Sequence, residues 1–212
     1  MQTTKPKFKT IKKYVCGSST YCAVSAMSKS NVVFLVECLA APDENLFDFA
    51  VDAKDGIVHA LALNLYKKLK YLDAYSAVYE VLIEEKHRLL HMGYTQTELE
   101  DFNVSVSVVS INDRNRLVLT VCGTSNLLCT TIKSNNLIGY SVSNSQNFNN
   151  DFVIKDQDFP SNIKDVILLS KDAYTSAMNL PNKKRYNILT DEQNALFENV
   201  PDKHYGVIFV RK

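Results

Sequence analysis

Two short apolar runs near the start of the chain are separated by a polar turn. The runs are Tyr21–Met27 and Asn31–Cys38, and the turn between them is Ser28–Asn31. Two apolar runs joined by a few polar residues predict a β-hairpin. The second run is apolar at nearly every position, which is typical of a strand covered on both faces in the middle of a layered structure.

The next part of the chain changes to helical spacing. Apolar residues recur every three or four positions from Val58 to Leu69 and again from Tyr75 to Met92, which predicts two amphipathic helices. We expect Asp73 to cap the second helix and Gly93 to end it. The polar, acidic stretch Pro42–Asp55 predicts a connection. The short link between the helices predicts an antiparallel pair on one face of a sheet.

The middle of the chain returns to strand patterns. Four apolar runs are separated by polar turns: Val104–Ile111, Leu117–Cys122, Leu127–Ile132 and Leu137–Val142. This pattern predicts a meander of antiparallel strands joined by hairpins. The stretch Ser143–Asn150 is almost wholly polar, so we expect a mobile loop there.

The last third predicts a buried strand at Val166–Leu169, a helix at Tyr174–Asn179 and a terminal strand at Gly206–Val210. The order of elements predicts an α+β fold: a four-layer α/β/β/α sandwich of two antiparallel sheets flanked by helices. No linker divides the chain. We therefore expect a basic flexible arm over residues 1–13 and a single domain over residues 14–212.

Composition excludes several classes of protein. The chain is 46% hydrophobic with a net charge of +1, which indicates a globular protein without a field that attracts nucleic acid or membranes. Its arm carries five lysines and is assigned no function. No apolar run is long enough to cross a membrane, and no apolar stretch follows the N-terminal lysines, so we expect no secretory signal. Five cysteines without a CxxC pair predict reduced, buried thiols, so we expect a soluble, cytoplasmic protein.

Three acidic residues stand at the ends of predicted buried strands. Glu37 closes one strand, Asp172 follows another, and Asp202 precedes the terminal one. If the three carboxylates converge, they would form a site for a hard divalent cation, which prefers oxygen ligands. The alternative from spacing alone is a set of ordinary loop carboxylates that cap helices or face solvent. His204, beside Asp202, is a further candidate acid or metal ligand.

The series of motifs resembles the type-2C, or PPM, family of metal-dependent protein serine/threonine phosphatases, especially its compact bacterial regulators. Val33–Cys38 stands where that family has a buried strand ending in Asp-Gly, and Gly123–Ser125 stands where it has Gly-Asp-Ser. Ser170–Ala173 replaces a Ser-Asp-Gly motif, and Asp202–Gly206 replaces an Asp-Asn/Asp-x-Thr motif. The resemblance covers most of the chain and lies in order and spacing, because no single motif is intact.

The resemblance implies metal contacts at Glu37, Cys38, Asp172 and Asp202. Asp172 and Asp202 match metal-binding aspartates. Glu37 replaces the bridging aspartate and is one methylene longer, whereas Cys38 replaces a glycine whose carbonyl contacts a metal. The resemblance therefore implies weak binding of Mn²⁺ or Mg²⁺ at most, and not a competent metal pair.

Two further departures concern charge at the site. Ser18 or Ser19 stands where the family has its first acid, and no arginine near the N-terminus matches the phosphate-binding one. These losses favour a pseudophosphatase, a regulator that binds a protein partner without hydrolysis. We expect that partner to be a phosphoprotein or a kinase, and we expect no binding to nucleic acid or to a membrane. The alternatives are a divergent active Mn/Mg-dependent protein serine/threonine phosphatase and an unrelated α/β binding protein whose acids never meet. We expect partner contacts at Ser143–Asn150 and Pro42–Asp55.

Overall fold

The structure is a computed structural model that describes residues 9–15, 22–29, 32–40, 47–112, 114, 116–131, 134–144, 146–179 and 206–211. Within these residues, the strands form two five-stranded antiparallel sheets. The β3 sheet contains, in spatial order, β2 (Cys22–Lys29), β3 (Val32–Ala40), β4 (Phe102–Ile111), β5 (Leu117–Cys122) and β8 (Ile154–Asp158). The β9 sheet contains β1 (Lys9–Val15), β10 (Gly206–Arg211), β9 (Ile163–Leu169), β6 (Ser125–Thr131) and β7 (Ser134–Val142).

Helices cover the outer faces of both sheets. The helices α1 (Phe47–Lys68) and α2 (Ala74–His91) lie on the β3 sheet, and α3 (Lys171–Asn179) lies on β6 and β9 of the other sheet. One apolar core lies between the helix pair and the β3 sheet, and a second lies between the two sheets. These layers confirm the predicted four-layer α+β sandwich. No described helix has the length and apolar character that a membrane span requires.

The central strand β3 explains why its sequence is apolar on both faces. Phe34 and Val36 pack into the helix-side core, whereas Val33 and Leu35 pack between the sheets. Successive side chains of a strand point to opposite faces, so each face supplies one layer. At the start of α2, Asp73 accepts a hydrogen bond from the backbone N–H of Ser76 at 2.9 Å, which confirms the predicted helix cap.

The predicted meander is wrong in one respect, because its strands are divided between the two sheets. The hairpin β4–β5 belongs to the β3 sheet, and the hairpin β6–β7 belongs to the β9 sheet. The chain crosses between them at Gly123, which has a φ of 81°. A Cβ atom there would overlap the carbonyl oxygen of Val104 and lie 2.8 Å from Ser105 Oγ. Glycine is therefore required for this crossing.

Two predicted loops also differ from the structure. The helix α1 begins at Phe47, inside the stretch that was expected to be a connection. The stretch Ser143–Asn150 is held against the β3 sheet: Phe148 is fully buried, and the backbone N–H of Val104 donates to the carbonyl of Gln146 at 2.8 Å. An aromatic anchor therefore fixes a mainly polar segment. The strand β1 begins at Lys9, so part of the predicted arm pairs with β10.

Candidate functional site

The second half of β3 places a carboxylate between the two sheets, three residues before the strand ends at Ala40. Glu37 follows Val33 and Leu35 on the face of β3 that packs against the β9 sheet, and only 3% of Glu37 is exposed. Its Oε1 accepts a hydrogen bond from the backbone N–H of Lys171, the first residue of α3, at 3.2 Å. This contact, which we call the inter-sheet link, connects the β3 sheet to the helix that follows β9.

The neighbouring residues on the same face of β4 carry hydroxyl groups and not carboxylates. Ser105 pairs with Glu37 in the register of β3 and β4, and Ser105 Oγ accepts from the backbone N–H of Thr124 at 3.0 Å. Ser107 lies on the same face of β4, and Ser125 begins β6 on the facing sheet. The Oγ atoms of Ser107 and Ser125 are buried and have no hydrogen-bond partner among the described residues.

The side chain of Cys38 points away from this position. Cys38 is fully buried in the helix-side core, on the face of β3 opposite to Glu37. Burial raises the pKa of the Cys38 thiol far above its ordinary value, although Lys54 acts in the opposite direction. A buried thiol with a raised pKa is a poor nucleophile and a poor metal ligand. Cys122 and Cys129 are also buried and free, as predicted.

One of the other predicted acids, Asp172, is next in sequence to Lys171, whose backbone N–H donates to Glu37. Asp172 follows Lys171 as the second residue of α3, but its side chain lies outside the described part of the chain. Asp202 and His204, like Ser18 and Ser19, lie outside the described residues. Within the described residues, no three histidine, cysteine, aspartate or glutamate side chains cluster as metal ligands. The metal site formed by Glu37, Asp172, Asp202 and the backbone carbonyl of Cys38 therefore stays a prediction.

Two buried charges beneath β3 were missed by the sequence analysis. Lys54 on α1 is 1% exposed and Glu85 on α2 is 2% exposed, and both act electrostatically on Cys38. Arg88 donates to Glu85 through Nε at 2.8 Å and through Nη2 at 2.5 Å, and this raises the pKa of Arg88. The burial of Lys54 could have been predicted from helical spacing, because Lys54 lies one turn before Val58 on the apolar face of α1. Both charges therefore lie within the helix-side layer of the domain, close to β3.

No protein-family profile matches the sequence, and no curated protein matches it. Solved structures do match. The catalytic domain of the serine/threonine protein phosphatase PstP, in complex with two manganese ions, shares 10% identity at a TM-score of 0.63, with 97% of this chain and 99% of that chain covered. The PPM Ser-Thr phosphatase MsPP from Mycobacterium smegmatis shares 9% identity at a TM-score of 0.62, with 97% and 96% covered. The serine/threonine phosphatase Stp1 from Staphylococcus aureus shares 8% identity at a TM-score of 0.57, with 96% of this chain and 92% of that chain covered.

The chain has the fold of the PPM phosphatases. Coverage of at least 96% of both chains at TM-scores of 0.63 and 0.62 decides this, and the expected resemblance is confirmed at the level of the fold. The described part of the PPM-fold domain does not by itself fit a two-metal centre. It supplies one carboxylate at the site, Glu37, and an oxygen of that carboxylate already accepts a backbone N–H. Neutral serine hydroxyls are weak ligands for hard dications compared with carboxylates.

Proposed function

We propose that this PPM-fold domain is a pseudophosphatase, a regulator that binds a protein partner without hydrolysing a phosphoester. The observation that carries the proposal is the inter-sheet link. Glu37, at the position of the family's bridging aspartate, accepts a hydrogen bond from the first backbone N–H of α3. The N-terminus of a helix carries partial positive charge, so it offsets the charge of a buried carboxylate without a metal ion.

Charge balance supports the same conclusion. PstP holds two manganese ions in its structure. Two neighbouring dications repel each other strongly and require several carboxylates to hold them. At the corresponding positions this chain has the longer Glu37, Cys38 and a serine (Ser18 or Ser19). Loss of one contact to a transition state typically reduces a rate by about 10²–10³-fold, and several such contacts are replaced here.

Hydrolysis assays test the proposal directly. The full chain is incubated with para-nitrophenyl phosphate and with a phosphoserine peptide, in millimolar Mn²⁺ or Mg²⁺ and in EDTA. We expect no turnover above buffer and no rise in melting temperature on adding either metal. The catalytic domain of PstP, assayed in parallel, is the positive control. Turnover that depends on Mn²⁺ and is abolished by Asp172→Asn would overturn the proposal.

One observation favours a second candidate, a divergent active phosphatase. The side chain of Glu37 reaches the start of α3, where Asp172 is the next residue, so two of the three predicted acids belong to adjoining segments. If the domain is active, Mn²⁺ binds below about ten millimolar by calorimetric titration, and Glu37→Gln weakens that binding. Absence of a binding isotherm for the wild-type chain in this range would remove the second candidate.

The partner is proposed to be a phosphoprotein or a kinase in the cytoplasm, with no role for nucleic acid or membrane. The net charge of +1 supports the last part, since it provides no broad positive field for polyanions. Two co-sedimentation assays test this part, one with the chain and duplex DNA fixed on beads and one with the chain and anionic vesicles. We expect the chain to stay in the supernatant of both at physiological salt. Binding to either one that weakens steeply with salt would contradict this part of the proposal.

A further inference from the structure

A groove lies on the helix side of the β3 sheet, at the end of β3 opposite to Glu37. Its volume is about 610 Å³, which is within the range of ordinary ligand-binding clefts. Val32, five residues before Glu37 along β3, is part of its wall. We call it the acidic groove and define it by its apolar residues Leu72, Tyr75 and Val118 and its carboxylates Asp73, Asp156 and Asp158.

The charge of the acidic groove has one sign. Its three charged lining residues are all aspartates. Asp73 is held ionised, because hydrogen bonds from Ser76 lower its pKa. Asp156 accepts from Thr120 Oγ1 at 2.6 Å, which fixes its position on β8. Asp158 lies 3.9 Å from the guanidinium of Arg116, and both side chains are more than half exposed, so this ion pair is weak and leaves the carboxylate accessible.

Exposed tyrosines extend the acidic groove along α2. Tyr75 lines the groove and is 46% exposed, Tyr79 is one helical turn further on and is 47% exposed, and Tyr71, in the turn before α2, is 71% exposed. Tyrosine is enriched among the residues that anchor protein interfaces, because its ring is large and rigid and its hydroxyl tolerates water. A guanidinium also stacks favourably on a tyrosine ring.

We infer that the acidic groove binds a basic segment of a protein partner, in which arginine or lysine stands next to an aliphatic side chain. The aliphatic side chain would fill the floor at Leu72 and Val118, and the cation would reach Asp156, Asp158 and the ring of Tyr75. A phosphorylated segment would be repelled by the same carboxylates. The inference rests on the proposed function only in assuming a protein partner, since the acidic groove is remote from the metal position and needs no metal.

The test uses a fluorescein-labelled peptide in which arginine alternates with leucine, titrated with the full chain and followed by fluorescence anisotropy. We expect saturable binding that weakens at high salt, and no binding of a peptide with glutamate in place of arginine. The double variant Asp156→Asn/Asp158→Asn keeps the shape of both side chains, and we expect it to weaken binding about tenfold. The control double variant Asp55→Asn/Asp151→Asn removes the same charge at exposed positions outside the groove and should change binding less than about twofold.

The tyrosine ring is tested separately from the carboxylates. Tyr75→Ala should weaken binding about fivefold, whereas Tyr75→Phe keeps the ring and should bind like the wild type. Equal affinity for all these variants, or equal affinity for the glutamate peptide, would overturn the inference. Tighter peptide binding after deletion of residues 2–8 would also overturn it, because the lysine-containing arm of the chain itself would then be the occupant. The metal and turnover assays above do not depend on any of these results.

Discussion

Replacing Glu37 by alanine removes the inter-sheet link and separates a structural role of this carboxylate from a metal-binding role. In the structure, Glu37 is 3% exposed and accepts the backbone N–H of Lys171 at 3.2 Å. Alanine leaves that N–H without this acceptor and leaves a space where the side chain was. Glutamine is the matched variant, because it keeps an oxygen acceptor and the size of the side chain but carries no charge.

The expected loss follows from these two contributions. A buried donor without its partner costs about 1–3 kcal/mol, and the space left by the side chain adds roughly 1–2 kcal/mol. We therefore expect Glu37→Ala to lower the free energy of unfolding by about 3 kcal/mol, which is a fall of roughly 6–12 °C in melting temperature for a chain of this size. Glutamine also removes the cost of burying a charge, so Glu37→Gln should lose about 1 kcal/mol or less.

Thermal unfolding followed by circular dichroism measures both variants in EDTA and in millimolar MnCl₂. If the inter-sheet link is structural, the two variants lose the same amount with and without metal. The exposed Asp151→Ala serves as the control and should change stability by less than about 0.5 kcal/mol. A metal ligand would behave differently. Saturating Mn²⁺ at a hundredfold excess over its Kd would stabilise the wild type by about 2.7 kcal/mol, and Glu37→Ala would lose that gain, which would refute the structural reasoning.

Three other predictions concern local structure. Gly123→Ala should lower stability by at least about 2 kcal/mol in urea unfolding, because its φ of 81° is left-handed and a Cβ atom overlaps the neighbouring strand. Asp73→Ala should cost about 1 kcal/mol by removing the cap that Ser76 donates to. Because hydrogen bonds from Ser76 lower the pKa of Asp73, this difference should be complete above the ordinary aspartate pKa of about 3.9 and should shrink as the pH falls from there through the lowered pKa of the folded state. Burial raises the pKa of Cys122 and Cys129 to about 12, so iodoacetamide should modify neither in the native protein.

Each of these predictions has a contrary outcome. Gly56 lies in α1 with open space around its Cβ position, so Gly56→Ala is the control and should stabilise the protein by about 0.5–1 kcal/mol. Equal effects at both glycines would mean that Gly123 is not under constraint. If Asp73→Ala still lowers stability in acid, the loss arises from packing and not from the ionised helix cap. Rapid alkylation of Cys122 without denaturant, located by peptide mapping, would contradict its burial.

The sequence predicted the layers better than it predicted the division of strands between them. The apolar run of β3 and the helical spacing of α1 and α2 reflect burial, which acts on each residue locally. The β5–β6 turn carries no such information, because a polar turn at Gly123 and Thr124 serves a hairpin or a crossing equally well. The strand β8 escaped detection because four of its five residues are exposed, and hydrogen bonds to β5 alone define it.

The candidate site was predictable only in part. Glu37 was identifiable as an acid after an apolar run, but the structure places it inside β3, which continues to Ala40, and buries it between the sheets. The hydrogen-bond donor to Glu37 was not identifiable, because it is the backbone N–H of Lys171, and every residue except proline has such a group. Lys54 and Glu85 were visible in principle as charges on apolar stripes. The spacing of apolar residues does not reveal which charged residues are buried, although buried polar groups are the more informative positions.

The order of the β9 sheet has a consequence for how the protein is made. β1, the earliest described strand, has only β10 as its neighbour in that sheet, and β10 is the last described strand. During synthesis β1 must wait unpaired until almost the whole domain has left the ribosome, and closing so long a loop is slow. Loss of the final strand, by a premature stop or by proteolysis, would leave β1 and β9 with open hydrogen-bonding edges, and such edges promote aggregation.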